Sequence, residues 1–438
     1  MTRKIFLLFF GIFVLKCILG FFIPLVADEA YYHVWSLYPQ LSYFDHPGMV
    51  SWLISFGRFL APFQNPLSVR WPFIIAGMAT LWIWICLIHE TSASNETKLF
   101  FTGLYVLNPL LGLGSILATP DVPMLFFWTS SFFFFSKILK ENSWWWYVLL
   151  GGSLGLGFCS KYHIVLFVLC GIVVLVVQKK LKSLRPSGVF LTILAGLITS
   201  TPVLLWNYQN DWASFAFQLK HGFGRTYYQM DWTVGYIIGQ ILLLSPFVFL
   251  TLFTRRSSSL SHQIFSWTQF LFFISSTFKS VVEANWPLAA HPHALVHFIQ
   301  SATRRRIVWT FSYWVVIFIS LISLLLMPHT RGLLKNQLLS SDVEEMGQIV
   351  KKYKPLYGPT YQISSLLTWT NQELIPKLKG FSRKDFFDEI PDSVPTNNTF
   401  YVLKEISSGW PESLTGAHFI KRESFDKLDL ELYQVTYD

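Results

Sequence analysis

The chain has 438 residues, of which 52% are hydrophobic, 18% aromatic and only 13% charged. Ordinary soluble domains carry about a quarter charged residues, so a soluble globular fold is excluded for most of this chain. The formal charge of +9 does not point to nucleic acid, because the first 330 residues hold 21 Lys and Arg against 10 Asp and Glu, while residues 331–438 hold 13 against 15; the positive excess belongs to the apolar part, and hence to a membrane.

Helices of roughly 17–25 apolar residues cross a hydrocarbon core and satisfy their own backbone there. Eleven stretches qualify in chain order: 5–26, 71–89, 99–117, 122–139, 144–160, 163–178, 189–206, 233–253, 264–282, 286–302 and 307–327. The first is longer than a signal-peptide core and has no small-x-small site before Asp28, so it reads as a permanent helix. Lys16, in its middle, either turns to the bundle interior or snorkels to an interface; the interior is the reading taken. Cys17, Cys86, Cys159 and Cys170 fall in apolar runs without paired spacing and read as small buried hydrophobes, neither disulfides nor metal ligands.

Basic clusters alternate along the chain. Arg3-Lys4, Lys98, Lys137/Lys140, Lys179-Lys180-Lys182-Arg185, Arg255-Arg256 and Arg304-Arg305-Arg306 put 14 cations on one side. Cytoplasmic loops keep such residues, so the amino terminus is expected inside and, after eleven spans, the carboxyl-terminal segment outside. The expected domains are a membrane part, 1–330, and a soluble extracytoplasmic part, 331–438. In the latter, 342–353 has helical spacing while Phe400–Lys404 and Leu430–Val435 alternate like strands, as in a small α/β or α+β module.

This topology sorts the ten acids of the membrane part. Glu90, Glu96 and Glu141 fall inside; Asp28, Glu29, Asp45, Asp121, Asp211, Asp231 and Glu283 fall at outer span ends or in outer loops. Carboxylates gathered along one edge of a bilayer suggest an acid/base or cation site there. Asp28-Glu29 directly follows the first span, and either supplies a general base for a hydroxyl or caps an interfacial helix. Asp45-His46, before Pro47 and the apolar Met49–Leu60, either contacts a sugar or cation or starts an interfacial helix. Asp121 sits in the turn Thr119-Pro120-Asp121-Val122-Pro123, held at the bilayer edge by its prolines or simply capping a helix.

Glu283 and Asn285 lie in Val282-Glu283-Ala284-Asn285-Trp286-Pro287, just after Lys279. Lys161, Arg225 and Lys279 are outer cations on a side that has few, suited either to a lipid phosphate or to anionic headgroups. His291, His293 and His297 cluster without the spacing of a strong zinc motif, which leaves a divalent metal ion as a minor possibility. No Gly-rich phosphate loop and no GxSxG element is present, which argues against nucleotide hydrolysis and serine-hydrolase chemistry.

Asp28-Glu29-Ala30-Tyr31-Tyr32, Ser42-Tyr43-Phe44-Asp45-His46-Pro47, Thr119-Pro120-Asp121, Ser160-Lys161-Tyr162 and Glu283-Ala284-Asn285-Trp286-Pro287 occur in that order. Together they resemble the bacterial glycosyltransferase family 39, the dolichyl-phosphate-mannose protein mannosyltransferase-like proteins, relatives of the aminoarabinose lipid A transferases. The resemblance implies an all-α polytopic GT-C fold with its site at the outer face of the inner membrane and a polyprenyl-phosphate-linked sugar as donor. The acceptor implied is a lipid A-like lipid or a protein. By carry-over, Asp28 is the catalytic base and Glu29 orients the acceptor or binds sugar. Asp121 positions acceptor or sugar, as would Asp45, His46, Glu283 and Asn285, and Lys161, Arg225 and Lys279 hold the donor phosphate. Two departures stand out: Gly48 follows Pro47 where many relatives have a second proline, and Ala290-His291-Pro292-His293 is unusually rich in histidine.

Two other classes fit parts of the pattern. A secondary transporter or flippase would use outer carboxylates for proton or cation coupling, but transporters commonly show internal repeats and midplane charges, whereas no convincing repeat is evident here and nearly all the acids lie at one edge. A membrane-anchored scaffold needs no carboxylate at the boundary.

Overall fold

The computed structural model describes residues 3–90, 93–224, 227–254, 259–326, 338–390, 395 and 397–437. In chain order the helices are α1 (Arg3–Phe22), α2 (Ala27–Leu37), α3 (Met49–Leu60), α4 (Pro66–His89), α5 (Asn95–Leu107), α6 (Asp121–Glu141), α7 (Trp144–Phe158), α8 (Leu166–Val177) and α9 (Pro186–Gln209). They continue with α10 (Ala213–Phe223), α11 (Met230–Leu244), α12 (Pro246–Thr251), α13 (Leu260–Ser276), α14 (Ala290–Ser301), α15 (Arg304–Leu326), α16 (Glu344–Val350) and α17 (Tyr361–Asn371). The strands are β1 (Leu356–Tyr357), β2 (Thr399–Glu405), β3 (His418–Phe425) and β4 (Leu430–Thr436). The chain forms two compact units. One comprises Met1–Gly20, Leu41–Leu53 and Arg70–Ser323; the other comprises Phe21–Gln40, Ile54–Val69 and Leu324–Asp438.

The first unit is all helical. Among the described residues, α1, α4, α6, α9 and α15 are long and apolar enough to cross a membrane, and α5 with Pro109–Ile116, bent by 78°, makes a sixth if read as one span. The other apolar stretches of the sequence fold as shorter helices. α14, for example, has 12 residues, a rise of about 18 Å, and is buried from Ala290 to Ile299.

Lys16 turns inward: it is buried and its ammonium donates to the Gly112 carbonyl at 3.0 Å and to the Ser115 hydroxyl. It thereby joins the Ser115 hydroxyl, which donates to the same carbonyl at 2.9 Å, and ties α1 to the bend after α5. α9 exposes Phe190, Ile193, Leu197 and Ile198 and buries Ser200 and Asn207, the reverse of a soluble helix and the arrangement that lipid demands. It meets α7 through glycine: a Cβ on Gly151 would strike the Thr192 carbonyl, and one on Gly155 would strike the Thr199 hydroxyl and the Gly196 carbonyl. Such small-xxx-small spacing lets backbones approach where apolar burial alone gives helices no reason to associate. Trp84, Phe101, Trp128, Phe132 and Phe265 fill the centre of this unit.

The second unit contains the carboxyl-terminal residues together with α2. Its sheet has the order β1-β2-β4-β3, with β1 parallel to β2 and the other pairs antiparallel. Phe400, Val402 and Val435 form its core with Tyr357, Leu378 and Leu414. The alternation seen in Phe400–Lys404 and Leu430–Val435 corresponds to β2 and β4, which pair directly. The entry to α2 is tied to the same unit: the Ala27 amide donates to the Leu338 carbonyl at 3.2 Å and the Ser340 amide to the Leu25 carbonyl at 2.8 Å. Compactness therefore groups α2 with 324–438, where the sequence divides at 330.

Candidate active site

Asp121 is the first residue of α6, after Pro120, and is buried. Lys161 follows α7 and is equally buried. Its ammonium donates to Asp121 Oδ1 at 2.7 Å, and the Asn285 amide donates to Oδ2 at 2.8 Å. Three of the sequence-predicted residues, from three separate motifs, thus converge. The carboxylate has a donor on each oxygen, and Lys161 has further N–H donors for an incoming anion.

An apolar groove of about 380 Å³ borders the residues that follow this group in the chain. Tyr162 and His163, next to Lys161, and Trp286, next to Asn285, line it with Phe158, Phe215, Phe273 and Gln218. Its polar lining is largely committed elsewhere: the Tyr162 hydroxyl pairs with Ser214 at 2.9 Å and Gln218 donates to the Asp45 carbonyl at 2.5 Å. The surface offered to a ligand is therefore mostly carbon.

Asp45 is buried, with its carbonyl tied to α10 through Gln218, while the Phe44 ring lies 4.8 Å from Phe217. His46 closes the turn, its carbonyl accepting from the Tyr43 amide at 3.1 Å. Gly48 is required here, because a Cβ would lie 2.8 Å from the Trp52 indole and 2.9 Å from the Leu41 carbonyl. Glu283 and Lys279 are exposed and, among the described residues, join no ion pair with Asp121. Arg225 lies outside the described residues.

In the second unit, Asp28 and Glu29 occupy the first turn of α2, where the helix start favours negative charge. Their environments differ sharply. Glu29 is buried, and its Oε2 accepts the Val26 amide at 3.2 Å, so it serves the helix start. Asp28 is exposed, and its Oδ1 accepts from the Tyr361 hydroxyl at 3.4 Å. Further along α2, His33 is buried beside the Arg58 guanidinium, 3.0 Å from Nδ1; desolvation and that positive charge push its pKa down to about 3.

The histidines of α14 do not converge. His291 meets Gln240 at 3.1 Å, His293 meets Trp128 at 3.2 Å and His262 at 3.1 Å, and His297 meets Ser259 at 2.7 Å and the Thr251 carbonyl at 2.9 Å. Among the described residues, no group of three or more His, Cys, Asp or Glu is set to hold a metal ion.

Gln218 and Tyr361 have no counterpart in the sequence reading. Each is a lone polar residue on a mixed helix, and only the fold shows what it touches. Tyr162, His163 and Trp286 had a signal, their place beside Lys161 and Asn285, but no hint that they share a groove.

Residues 45–206 match the dolichyl-phosphate-mannose-protein mannosyltransferase family. The fold is that of ArnT from Cupriavidus metallidurans: the crystal structure bound to undecaprenyl phosphate superposes with a TM-score of 0.72 at 12% identity, over 99% of this chain and 98% of that one. The chain has the GT-C fold. The apo form of the same ArnT superposes with a TM-score of 0.71 at 12% identity, over 98% of both chains. In sequence, the chain resembles the lipid A galacturonosyltransferase RgtD of Rhizobium johnstonii, with 21% identity over 282 residues. That match takes in 60% of this chain and spans 58% of the length of the curated relative.

Proposed function

We propose that the chain is an integral-membrane glycosyltransferase that moves one sugar from a polyprenyl phosphate to a hydroxyl of a lipid A-like lipid or a protein at the extracytoplasmic face of the inner membrane. The observation that carries this reading is a carbon-lined groove bordered in sequence by the Asp121–Lys161–Asn285 group. A prenyl chain asks for the groove, and a phosphate asks for the cation. The ArnT structure solved with undecaprenyl phosphate supports the donor class, and the RgtD resemblance supports a lipid A-type acceptor. The one-sided distribution of Lys and Arg supports a cytoplasmic amino terminus.

In the proposed reaction the acceptor oxygen attacks the anomeric carbon while Asp28 takes its proton. The bond between that carbon and the phosphate oxygen breaks, and its electron pair leaves with the polyprenyl phosphate. Lys161 bears part of the charge that develops there, a role also assigned to Lys279 and Arg225. Asp121 and Asn285 hold Lys161 in place, and Asp45, His46 and Glu283 are assigned to acceptor or sugar. A single displacement inverts the anomeric centre.

Mass spectrometry of lipids and glycoproteins from cells with and without the protein tests the reading. A lipid or protein lighter by one sugar in the absence of the protein is expected, with the anomeric configuration of the product opposite to that of the donor. Unchanged lipids and glycoproteins would overturn it.

A further inference from the structure

A second apolar groove, of about 140 Å³, lies in the first unit. It is built on the first turns of α7 and the last turns of α8, whereas the groove next to Lys161 uses the end of α7 and the start of α8. α7 supplies Tyr147, Leu150 and Leu154, and α8 supplies Val168, Gly171 and Leu175; each set is spaced three and then four residues apart and so shares one helix face. Seven positions of helix rise about 10 Å, which makes the groove a track along the two helices. Gly171 keeps it open, since a Cβ there would meet only the Phe135 ring, at 4.0 Å. Its two polar side chains are committed: the Thr192 hydroxyl donates to the Tyr147 carbonyl at 3.0 Å, and the Tyr147 hydroxyl donates to the Asn142 side chain at 2.7 Å.

One end of the track is basic. Leu175 and Leu184, both in the lining, bracket Lys179, Lys180 and Lys182, and Arg185 follows. The Lys180 amide donates to the Leu175 carbonyl at 2.8 Å and the Arg185 amide to the Tyr147 hydroxyl at 3.0 Å, so the backbone of this segment closes on residues of the groove. All four cations are exposed. The neighbouring acids are taken by other partners, Glu90 by Lys137 at 3.0 Å and Lys140 at 2.6 Å, and Glu141 by Lys137 at 3.2 Å; among the described residues none of the four cations joins an ion pair. Exposed Trp144 and Trp145 open α7 just before Tyr147, the place that interfacial tryptophans take at headgroup depth. A carbon track that begins at headgroup depth beside such cations matches an acyl chain with an anionic head. We propose that this groove is a binding site for an anionic glycerophospholipid, one acyl chain lying along α7 and α8 and the phosphate resting among Lys179, Lys180, Lys182 and Arg185.

The test titrates the delipidated full chain in detergent with dioleoyl phosphatidylglycerol or dioleoyl phosphatidylcholine and reads bound lipid by native mass spectrometry. One tightly held phosphatidylglycerol is expected, bound about ten-fold or more tighter than phosphatidylcholine, because each cation near the headgroup contributes. The quadruple variant K179Q/K180Q/K182Q/R185Q should lose that preference while keeping the wild-type thermal midpoint. G171L fills the track and should weaken both lipids alike, by about ten-fold or more. Phosphatidylglycerol should slow amide exchange across residues 168–175 in the wild type and not in G171L. Equal affinity of the wild type for the two lipids, or an unchanged preference in the quadruple variant, would overturn the assignment of the head to the cations. Wild-type affinity in G171L would place the chain elsewhere; should G171L not fold, the exchange of the wild type decides the same point, and absence of protection across 168–175 overturns the site. Displacement of phosphatidylglycerol by an equimolar prenyl phosphate would overturn the proposal in favour of the tail of a prenyl donor.

Discussion

The two units treat their outer acids in opposite ways. In the first, Asp121 is buried with an ammonium at 2.7 Å and an amide at 2.8 Å; in the second, Asp28 is exposed and bonded to a phenol at 3.4 Å. A carboxylate that accepts an ammonium on one oxygen and an amide on the other is committed to the groups that hold it. An exposed carboxylate at a helix start stays within reach of solvent. The contrast teaches that acids of similar sequence context, each opening a helix at the edge of an apolar run, divide into an electrostatic anchor and a candidate base according to what the fold brings to them.

The largest expected effect tests the base. D28N should lower turnover by about 10²- to 10⁴-fold while leaving expression and donor binding unchanged, measured in lipid nanodiscs as a mass gain of one glycosyl residue and as retention of a labelled prenyl phosphate. Equal losses of turnover and donor binding would erase the contrast between the two acids. The anchor is tested next. K161M strands a buried carboxylate and should destabilise the first unit by about 3–5 kcal/mol, read as a lowered thermal midpoint. The double variant D121N/K161M should recover much of that loss, since no charge is left unpaired. A double variant as unstable as K161M would deny the anchoring role.

A smaller effect is expected at the contact between α7 and α9. G155L forces a side chain onto the Thr199 hydroxyl and the Gly196 carbonyl and should cost about 1–3 kcal/mol or more. G152L, whose Cβ meets nothing closer than Thr199 Cγ2 at 4.0 Å, should cost far less; the pair is compared by thermal midpoint.

The smallest effect concerns pH and separates the units. His33 has its pKa depressed to about 3 by burial and by Arg58, against about 6.5 when unfolded. Below pH 6.5 the unfolded chain therefore binds a proton that the fold refuses. The His33 contribution is complete above pH 6.5 and is lost as pH falls toward 3, by at most about 1.4 kcal/mol per unit. Amide protection of α17 should weaken from pH 6.5 to 5.0, protection of α7 should not follow it, and H33Q should flatten the slope for α17.

Much of the chemistry was legible because it is carried by residue type. Few charges, many aromatics and cations sorted to alternate loops announce a membrane protein whatever its packing. Five short motifs in order pointed to the family, and the alternation in Phe400–Lys404 and Leu430–Val435 corresponds to two strands that pair. The helix-start reading of Glu29 matches its bond to Val26. What one strand of text cannot show is which distant residue answers a charge: Lys161 and Asn285 stand 40 and 164 positions from Asp121. The histidines of α14 illustrate the converse. They are neighbours in sequence, yet each finds a different partner, because successive helix positions face different directions.

By itself the sequence determined the solvent this chain requires, its fold family and the inventory of acids and cations, since transfer free energy and charge belong to residues one at a time. The tertiary structure decided which apolar runs fold as long single helices, which of two similar aspartates is buried and which is exposed, and that a tyrosine near the far end of the chain meets Asp28. Those outcomes depend on burial and pairing, which are properties of neighbours in space and exist only once the backbone has brought them together.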